Sequence, residues 1–272
     1  DKSLYNYKRV DAKKYIIDQA DTNQVVIINE AHHNSMHRIF ATELLSEFYS
    51  KGFRYIGIET LDIEDSEINN RKYPIRFSGR YSIEPQFGNF IRKALEIGYV
   101  LFPYESEGSG REREIGQARN IEKQILKDSD SKYLIYCGFD HAVEGYYSSW
   151  EKAMAGRLKE FTGIDPLTIN QTQYTERSNR KLESEIYKRF NSKTPSVIID
   201  ENDEVLKNRE HPDWFDIMII HPRTIKTDNR PSWIFKNGKE KFQLRIDRIE
   251  IEKPYLIMAF KIGEDYRQAV PC

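Results

Sequence analysis

Acids and histidines follow the apolar runs of this chain at the points where buried strands are expected to end. Four such runs lie at 25–28, 55–58, 100–102 and 133–136. The residues that come after them are Glu30 and His32, Glu59, Glu105, and His141. Carboxylates and imidazoles can transfer protons to and from water, and they also bind divalent metals. If the runs lie side by side, these side chains would converge on one site.

The elements that must position these residues alternate between strand and helix from residue 25 to about 190. We predict strands at 25–29, 54–60, 99–104, 132–137 and 167–171. Amphipathic or polar helices are predicted at about 11–21, 34–51, 86–97, 110–127, 148–161 and 178–190. Alternating strands and helices are typical of a parallel sheet, and such sheets bind ligands just outside the carboxyl ends of their strands. The sequence therefore predicts an α/β fold with a mostly parallel central sheet flanked by helices.

The remaining segments suggest two additions to this domain. We assign residues 1–222 to the α/β domain, including a helical and loop excursion at about 62–97 whose charged part, 62–85, is a candidate lid. Residues 223–272 are expected to form a β-rich extension packed on the same domain, because Asn237-Gly238 between apolar runs indicates an antiparallel hairpin.

Composition limits the classes of partner. The 272 residues have a net charge of −1, with 39% hydrophobic and 31% charged residues, so we expect neither nucleic acid nor an anionic membrane as partner. No run reaches the length of a membrane span. The two cysteines, Cys137 and Cys272, are not expected to pair. We interpret the start at Asp1 as a processed or trimmed form, which would place the protein in the bacterial envelope, periplasm or medium if an export signal was removed, and otherwise in the cytoplasm.

The candidate site residues differ in how strongly their positions point to chemistry. Glu30, His32, Glu59 and His141 form the expected centre, and a divalent metal held by some of these four is a further expectation. Arg113, in a charged helix start, could reach the same place and bind an anion. Glu105 could be a solvated loop residue or a ligand contact. His33 and His37 are expected at the rim, either solvated or capping a helix, with binding of a cofactor as the alternative.

The same segments resemble one protein superfamily. Residues 29–37, Asn-Glu-Ala-His-His-Asn-x-x-His, resemble the Gly-Glu-x-His-Asp-Asn-type opening of the haem-binding ChaN-like proteins, which belong with the erythromycin esterase-like and TIKI proteins. Residues 138–141, Gly-Phe-Asp-His, resemble the second Gly-x-x-His motif, and Glu59 matches the acid after the second strand. Arg113-Glu114 with 118–121 is similar to a helix motif of the esterase-like branch. The resemblance covers about residues 24–170, with Asn29 and His33 as departures.

This resemblance implies different activities for its branches. Esterase-like members hydrolyse an ester or lactone with water activated by His and Glu, TIKI-like members are metal-dependent proteases, and ChaN-like members bind haem. We predict a hydrolase of a small molecule or peptide, in which Glu30 or His32 is the base, His141 a second base or acid, Glu59 an orienting or metal-holding group, and Arg113 a stabiliser of negative charge. The alternative is a haem- or iron-ligand-binding protein without turnover, and an inactive relative is a third reading. The oligomeric state is left open.

Overall fold

The computed structural model describes residue 4 and residues 6–227, 229–235 and 257–272. Its strands are β1 (Lys8–Asp11), β2 (Val25–Glu30), β3 (Phe53–Ile58), β4 (Val100–Pro103), β5 (Lys132–Gly138), β6 (Leu167–Asn170), β7 (Ser196–Ile199), β8 (Ile217–Ile220), β9 (Lys226–Thr227) and β10 (Arg230–Pro231). Its α-helices are α1 (Ala12–Ala20), α2 (Ser35–Ser50), α3 (Ile68–Arg71), α4 (Pro85–Ile97), α5 (Gly110–Ile125), α6 (Met154–Thr162) and α7 (Glu185–Phe190).

Eight strands form one sheet in the order β1-β7-β8-β6-β2-β5-β3-β4. The six strands from β8 to β4 are mutually parallel, and β7 and β1 join antiparallel at one edge. A separate two-stranded antiparallel sheet is formed by β9 and β10. The predicted α/β class is therefore confirmed, with antiparallel β structure towards the C-terminal part. The predicted hairpin turn at Asn237-Gly238 lies outside the described residues.

Successive residues of the central strand β2 serve opposite cores. In β2, Val26 and Ile28 belong to one apolar core, and Val25 and Ile27 belong to the other. Helices α1, α2 and α4 cover the first core, while α5, α6 and α7 cover the second. Because side chains alternate across a strand, a residue two positions beyond Ile28 points to the first core. This register directs Glu30 towards α2 and α4.

The outward backbone groups of the edge strand β4 are hydrogen-bonded by a side chain rather than by another strand. The side-chain amide of Asn69 donates to the carbonyl oxygen of Leu101 at 2.8 Å and accepts from its N–H at 2.8 Å. Asn69 lies in the short helix α3, within the excursion that follows β3. Pro103, the next residue on the same side of the strand, has no N–H to present.

The excursion after β3 is held down by the C-terminal residues. The N–H of Arg76 donates to Gln268 O at 3.0 Å, and the N–H of Val270 donates to Pro74 O at 3.2 Å. Ala269 and Val270 are fully buried there. The 62–85 segment thus lies over the carboxyl ends of the strands in a fixed position. Among the described residues, none of the helices is both long enough and apolar enough to span a membrane.

Candidate active site

Glu30, the last residue of β2, is buried with every oxygen lone pair directed at a donor. The guanidinium of Arg38 donates to both carboxylate oxygens at 2.7 Å, and the hydroxyl of Tyr136 donates to Oε2 at 2.7 Å. Burial alone would raise the pKa of Glu30, but the hydrogen bonds from Arg38 and His32 lower it to about 2. The carboxylate is therefore a fixed anion at neutral pH and a poor proton acceptor.

His32 receives its orientation from this anion. Its Nδ1 lies 2.9 Å from Glu30 Oε1, and its ring stacks on Tyr81 with centroids 4.4 Å apart. A carboxylate at Nδ1 requires that nitrogen to carry the proton, which leaves the lone pair on Nε2. The ring is 23% exposed, whereas Glu30 is 2% exposed. His32 is thus the member of the pair that a substrate can reach.

Arg38 links the Glu30–His32 pair to two helices. It lies on α2, and its Nη1 donates at 2.8 Å to Glu84, the residue that caps α4. The same guanidinium donates to the backbone oxygen of His32 at 2.9 Å. Glu84 also accepts from Ser35 at 3.0 Å and from the N–H of Phe87 at 2.9 Å. The carboxylate of Glu30 is therefore positioned by the ends of α2 and α4.

A second carboxylate–histidine pair follows β5. His141 lies in a short 3₁₀ turn after the strand, and its Nδ1 is 2.8 Å from the carboxylate of Glu114 on α5. Glu114 is buried and also accepts from the N–H of Met154 at 2.7 Å. The imidazole of His141 stacks on Trp150 with an interplanar angle of 12°. As in the first pair, the carboxylate holds Nδ1 and leaves Nε2 for chemistry.

The Nε2 atom of His141 lies between a cation and an anion. Arg113 Nη1 is 2.9 Å away and Glu59 Oε1 is 3.3 Å away. Burial lowers the pKa of His141, but the hydrogen bond to Glu114 and the charge of Glu59 outweigh burial and Arg113, and the pKa is raised. Nε2 can therefore accept a hydrogen bond from Arg113 when neutral and hold a proton against Glu59 when charged.

Glu59 and Glu105 share Arg113. The guanidinium donates to Glu59 at 2.6 Å and to Glu105 at 2.5 and 2.9 Å. Gly138 N–H donates to the other oxygen of Glu59 at 2.5 Å, and Gln117 donates to Glu105 at 2.9 Å. Arg113 is thus fixed by two carboxylates that come from the ends of neighbouring strands β3 and β4.

Both pairs face one cavity of about 1120 Å³, which is also lined by Glu59, Glu105 and Arg113. The ring of His32 packs against the backbone of Gly138. A methyl group at Gly138 would lie 2.4 Å from Nε2 and Cε1 of His32 and 3.3 Å from Glu59 Oε2. The absence of a side chain at position 138 therefore leaves the room that the His32 ring occupies beside Glu59. The structure brings Glu30, His32, Glu59, Glu105, Arg113 and His141 together, although Glu30 stays behind His32.

The two remaining predicted histidines lie elsewhere. His33 lines a neighbouring cavity of about 730 Å³ and stacks against Phe139. His37 is fully buried, which contradicts its expected place at the rim. Its Nδ1 accepts from the N–H of Ala31 at 3.0 Å, and burial together with His221 holds its pKa well below the usual value. The buried ring thus accepts a hydrogen bond from the turn that leads into α2.

The expected metal set is not assembled in this arrangement. Within the described residues, no group of three or more His, Cys, Asp or Glu side chains is placed to hold a metal ion. Both oxygens of Glu30 are taken by Arg38, and both oxygens of Glu59 are taken by Arg113 and Gly138. A cation bound here would have to displace a guanidinium, so these residues do not fit a divalent metal.

Several residues that build the site were not predicted. Arg38 and Tyr136 lie inside apolar segments, where nothing in the sequence marks them as partners of Glu30. Glu114 belongs to the charged helix start and to the helix motif, and neither feature predicts that its side chain is buried. A signal existed for it: Glu114 precedes Gln117, Ala118 and Ile121 on the buried face of α5, so it shares their helical spacing.

Comparison with known proteins gives distant similarities of fold. No family model matches the chain, and no curated protein does. The type III effector HopBA1 is 9% identical and has a TM-score of 0.47, with 62% of this chain and 88% of that chain covered. The haem-binding ChaN of Campylobacter jejuni is 10% identical with a TM-score of 0.46, covering 77% and 92%. RRSP, a MARTX toxin effector domain from Vibrio vulnificus, is 14% identical with a TM-score of 0.36, covering 54% and 34%.

One of these structures is a ChaN protein, and ChaN-like proteins are among those that the sequence motifs resemble. At such identities and scores the similarity concerns the fold alone.

Proposed function

We propose that this protein is a hydrolase that activates water with two carboxylate-oriented histidines and cleaves an ester, lactone or amide. One observation carries the proposal. His32 and His141 each have Nδ1 held by a buried carboxylate, and both line the same cavity. Oriented imidazoles in a shared cavity suit a reaction that needs one proton removed and another delivered.

His32 is the proposed general base. Its Nε2 would take a proton from a water molecule in the cavity, and the resulting imidazolium would be stabilised by Glu30, whose charge is permanent at neutral pH. The hydroxide oxygen then forms a bond to the carbonyl carbon of the substrate. This role replaces the alternative that Glu30 itself is the base, because Glu30 has no free lone pair directed at the cavity.

His141 is the proposed general acid. Its raised pKa favours the protonated form, which can donate from Nε2 to the leaving oxygen or nitrogen as the carbonyl carbon–heteroatom bond breaks. Arg113 would stabilise the negative charge that develops on the carbonyl oxygen, while Glu59 fixes the guanidinium. The products are a carboxylic acid and an alcohol or amine. His32 then returns its proton to solvent and His141 takes one up from solvent, which restores the starting state.

The test compares His32→Ala, His141→Ala and His33→Ala in the hydrolysis of a panel of 4-nitrophenyl esters, a lactone and a peptide. We expect kcat to fall about 100-fold or more in the first two variants, as removal of a general acid or base predicts. His33→Ala is the matched control, because His33 neighbours His32 in sequence but lines another cavity. Full activity in either His32→Ala or His141→Ala, with folding verified by circular dichroism, would refute the proposal.

Haem binding without turnover is the second candidate, and it depends on the same imidazole. The Nε2 atom of His32 has no protein hydrogen-bond partner among the described contacts, and histidine nitrogen is a common iron ligand. The close approach of Gly138 to this nitrogen argues against a bulky planar ligand. Titration with haemin discriminates the two functions: a sharp Soret shift that is lost in His32→Ala, without hydrolysis of any substrate, favours binding.

A further inference from the structure

The cavity extends well beyond the two histidines along helix α5. Three side chains at the C-terminal end of this helix line it, spaced so that they share one helical face, and a fourth follows the helix: Asn120, Lys123 and Gln124, then Lys127. Phe102 and Pro103 of the edge strand β4 form another wall. The site is therefore an elongated groove, with the proposed reaction centre at one end and this polar stripe towards the other.

The groove carries cations to which no carboxylate of the described residues is bound. Among the described residues, Lys123 and Arg80 have no carboxylate partner, and Lys127 donates only to Gln124 at 3.2 Å. By contrast, Arg119 on the same helix pairs with Glu122 at 2.7 Å. Arg80 belongs to the 62–85 segment, so the unpaired cations lie on two separate walls.

The acids that line the groove form no described ion pair with these cations. Glu59 and Glu105 are both bound by Arg113. Glu107 precedes α5, which begins at Gly110. At a rise of 1.5 Å per residue, the start of this helix lies about 20 Å from Lys123 along the helix axis. Asp62 accepts from the N–H of Glu64 at 2.9 Å. Lys123 and Lys127 therefore face the groove without a bound carboxylate among the described residues.

We propose that the substrate of this hydrolase carries an oxyanion, a carboxylate or a phosphate, which binds at Lys123 and Lys127. The proposal rests on the proposed function and deepens it. Ten residues of helix separate Arg113 from Lys123, which corresponds to about 15 Å. The substrate is accordingly elongated, with its anionic end about 15 Å from the bond that is cleaved.

The experiment uses two esters of equal chain length, 4-nitrophenyl dodecanoate and the mono-4-nitrophenyl ester of dodecanedioic acid, which adds a terminal carboxylate. We expect the wild-type kcat/KM to be about tenfold higher for the acid-ended ester at low salt, from a few contacts of surface strength. In the double variant Lys123→Gln, Lys127→Gln this preference disappears through KM. Lys193→Gln, at an exposed site outside the groove, is the matched control and keeps the preference. Equal kcat/KM values in the wild type would overturn the proposal.

A binding measurement separates this proposal from the proposed function. Calorimetric titration of dodecanedioate and of dodecyl phosphate into the wild type and the double variant needs no turnover. Binding that weakens about tenfold in the double variant supports the anion site even if no ester is hydrolysed, and the stronger of the two ligands identifies the oxyanion. Binding that is absent, or equal in both proteins, overturns the anion site whatever the hydrolysis assay shows.

Discussion

Glu30 can stay ionised inside the protein because its neighbours replace the water that it lost. A buried carboxylate without partners would be neutralised, whereas two bonds from Arg38, one from Tyr136 and one from His32 hold the charge. Because the four bonds depend on one another, removal of any one of these side chains is expected to lower the stability of the protein. Loss of one partner of a buried ion pair typically destabilises by about 3–5 kcal/mol.

Gly138→Ala tests the placement of His32 without touching either histidine. The backbone at Gly138 has φ −87° and ψ 148°, which alanine adopts readily. The new methyl group would lie 2.4 Å from Cε1 and Nε2 of His32, so the imidazole ring must swing away from residue 138. We expect kcat to fall about 10- to 100-fold, since a small misplacement of a catalytic group has effects of this size.

The readout for Gly138→Ala separates geometry from folding. Circular dichroism checks that the variant is folded, because the swing of the ring also weakens its bond to Glu30. Unchanged kcat, with the alanine verified by mass, would contradict the assigned position of His32 as the general base.

At this scale the sequence predicted which residues would converge but not how they are held. Glu30, His32, Glu59, Glu105 and His141 follow strands whose apolar runs are plain. Their partners Arg38 and Glu114 come from helices, where a charged residue is ordinarily solvated. Whether a helical charge faces a strand end depends on the rotation of the helix on the sheet, and no local pattern encodes that rotation.

Among the elements, the 62–85 segment determines the shape of the cavity mouth. It supplies Tyr81, which stacks on His32, and Arg80, which lines the groove. Its position depends on contacts far away in sequence. Arg92 on α4 pairs with Glu264 through two bonds of 2.7 Å and also donates to the carbonyl oxygen of Val270, next to the segment.

Glu264→Ala is expected to loosen this segment. It leaves the buried guanidinium of Arg92 unpaired, which should destabilise the protein by about 3 kcal/mol or more. Amide hydrogen exchange at 74–79 should accelerate, and KM for ester substrates should rise. The double variant Arg92→Met, Glu264→Leu restores an apolar contact and should recover most of the stability. Exchange at 74–79 that stays as slow as in the wild type would contradict this role of the C-terminal residues.

The elements themselves were predicted unevenly, for physical reasons. Strands β2 to β6 and helices α1, α2, α4 and α5 fall within a few residues of their predicted bounds. The strands are marked by apolar runs, and the helices lie between breaks in the sequence pattern. The helix expected at 148–161 begins only at Met154, since Trp150 and its neighbours pack against His141 and Tyr147 instead. The helix expected at 178–190 is reduced to Glu185–Phe190 after a 3₁₀ turn.

For the whole molecule, one buried acid makes stability depend on pH away from the site. Glu144 accepts from Thr168 at 2.7 Å and lies near Asp216. Burial, followed by the charge of Asp216, raises the pKa of Glu144 to about 8. A raised folded-state pKa gives a stabilising contribution that is complete below the unfolded value near 4.5 and is lost as the pH rises through about 8.

Glu144→Gln should therefore stabilise the protein at alkaline pH. The amide still accepts from Thr168 and carries no charge to desolvate. We expect the free energy of unfolding at pH 9 to exceed that of the wild type by about 1–3 kcal/mol, and the difference to shrink towards pH 5. Urea denaturation at several pH values measures it. Glu201→Gln, on the exposed surface, is the control and should stay within about 0.5 kcal/mol of the wild type. A difference that does not vary with pH would refute the assignment.

Asn69 has a consequence for how the molecule behaves among its own copies. An unpaired edge strand is a template on which a second chain can add by backbone hydrogen bonding. At β4 the outward N–H and C=O of Leu101 are already taken by Asn69, and Pro103 offers no N–H. The strand that borders the groove therefore resists intermolecular sheet formation, so the groove can remain open to solvent without exposing the protein to aggregation through that edge.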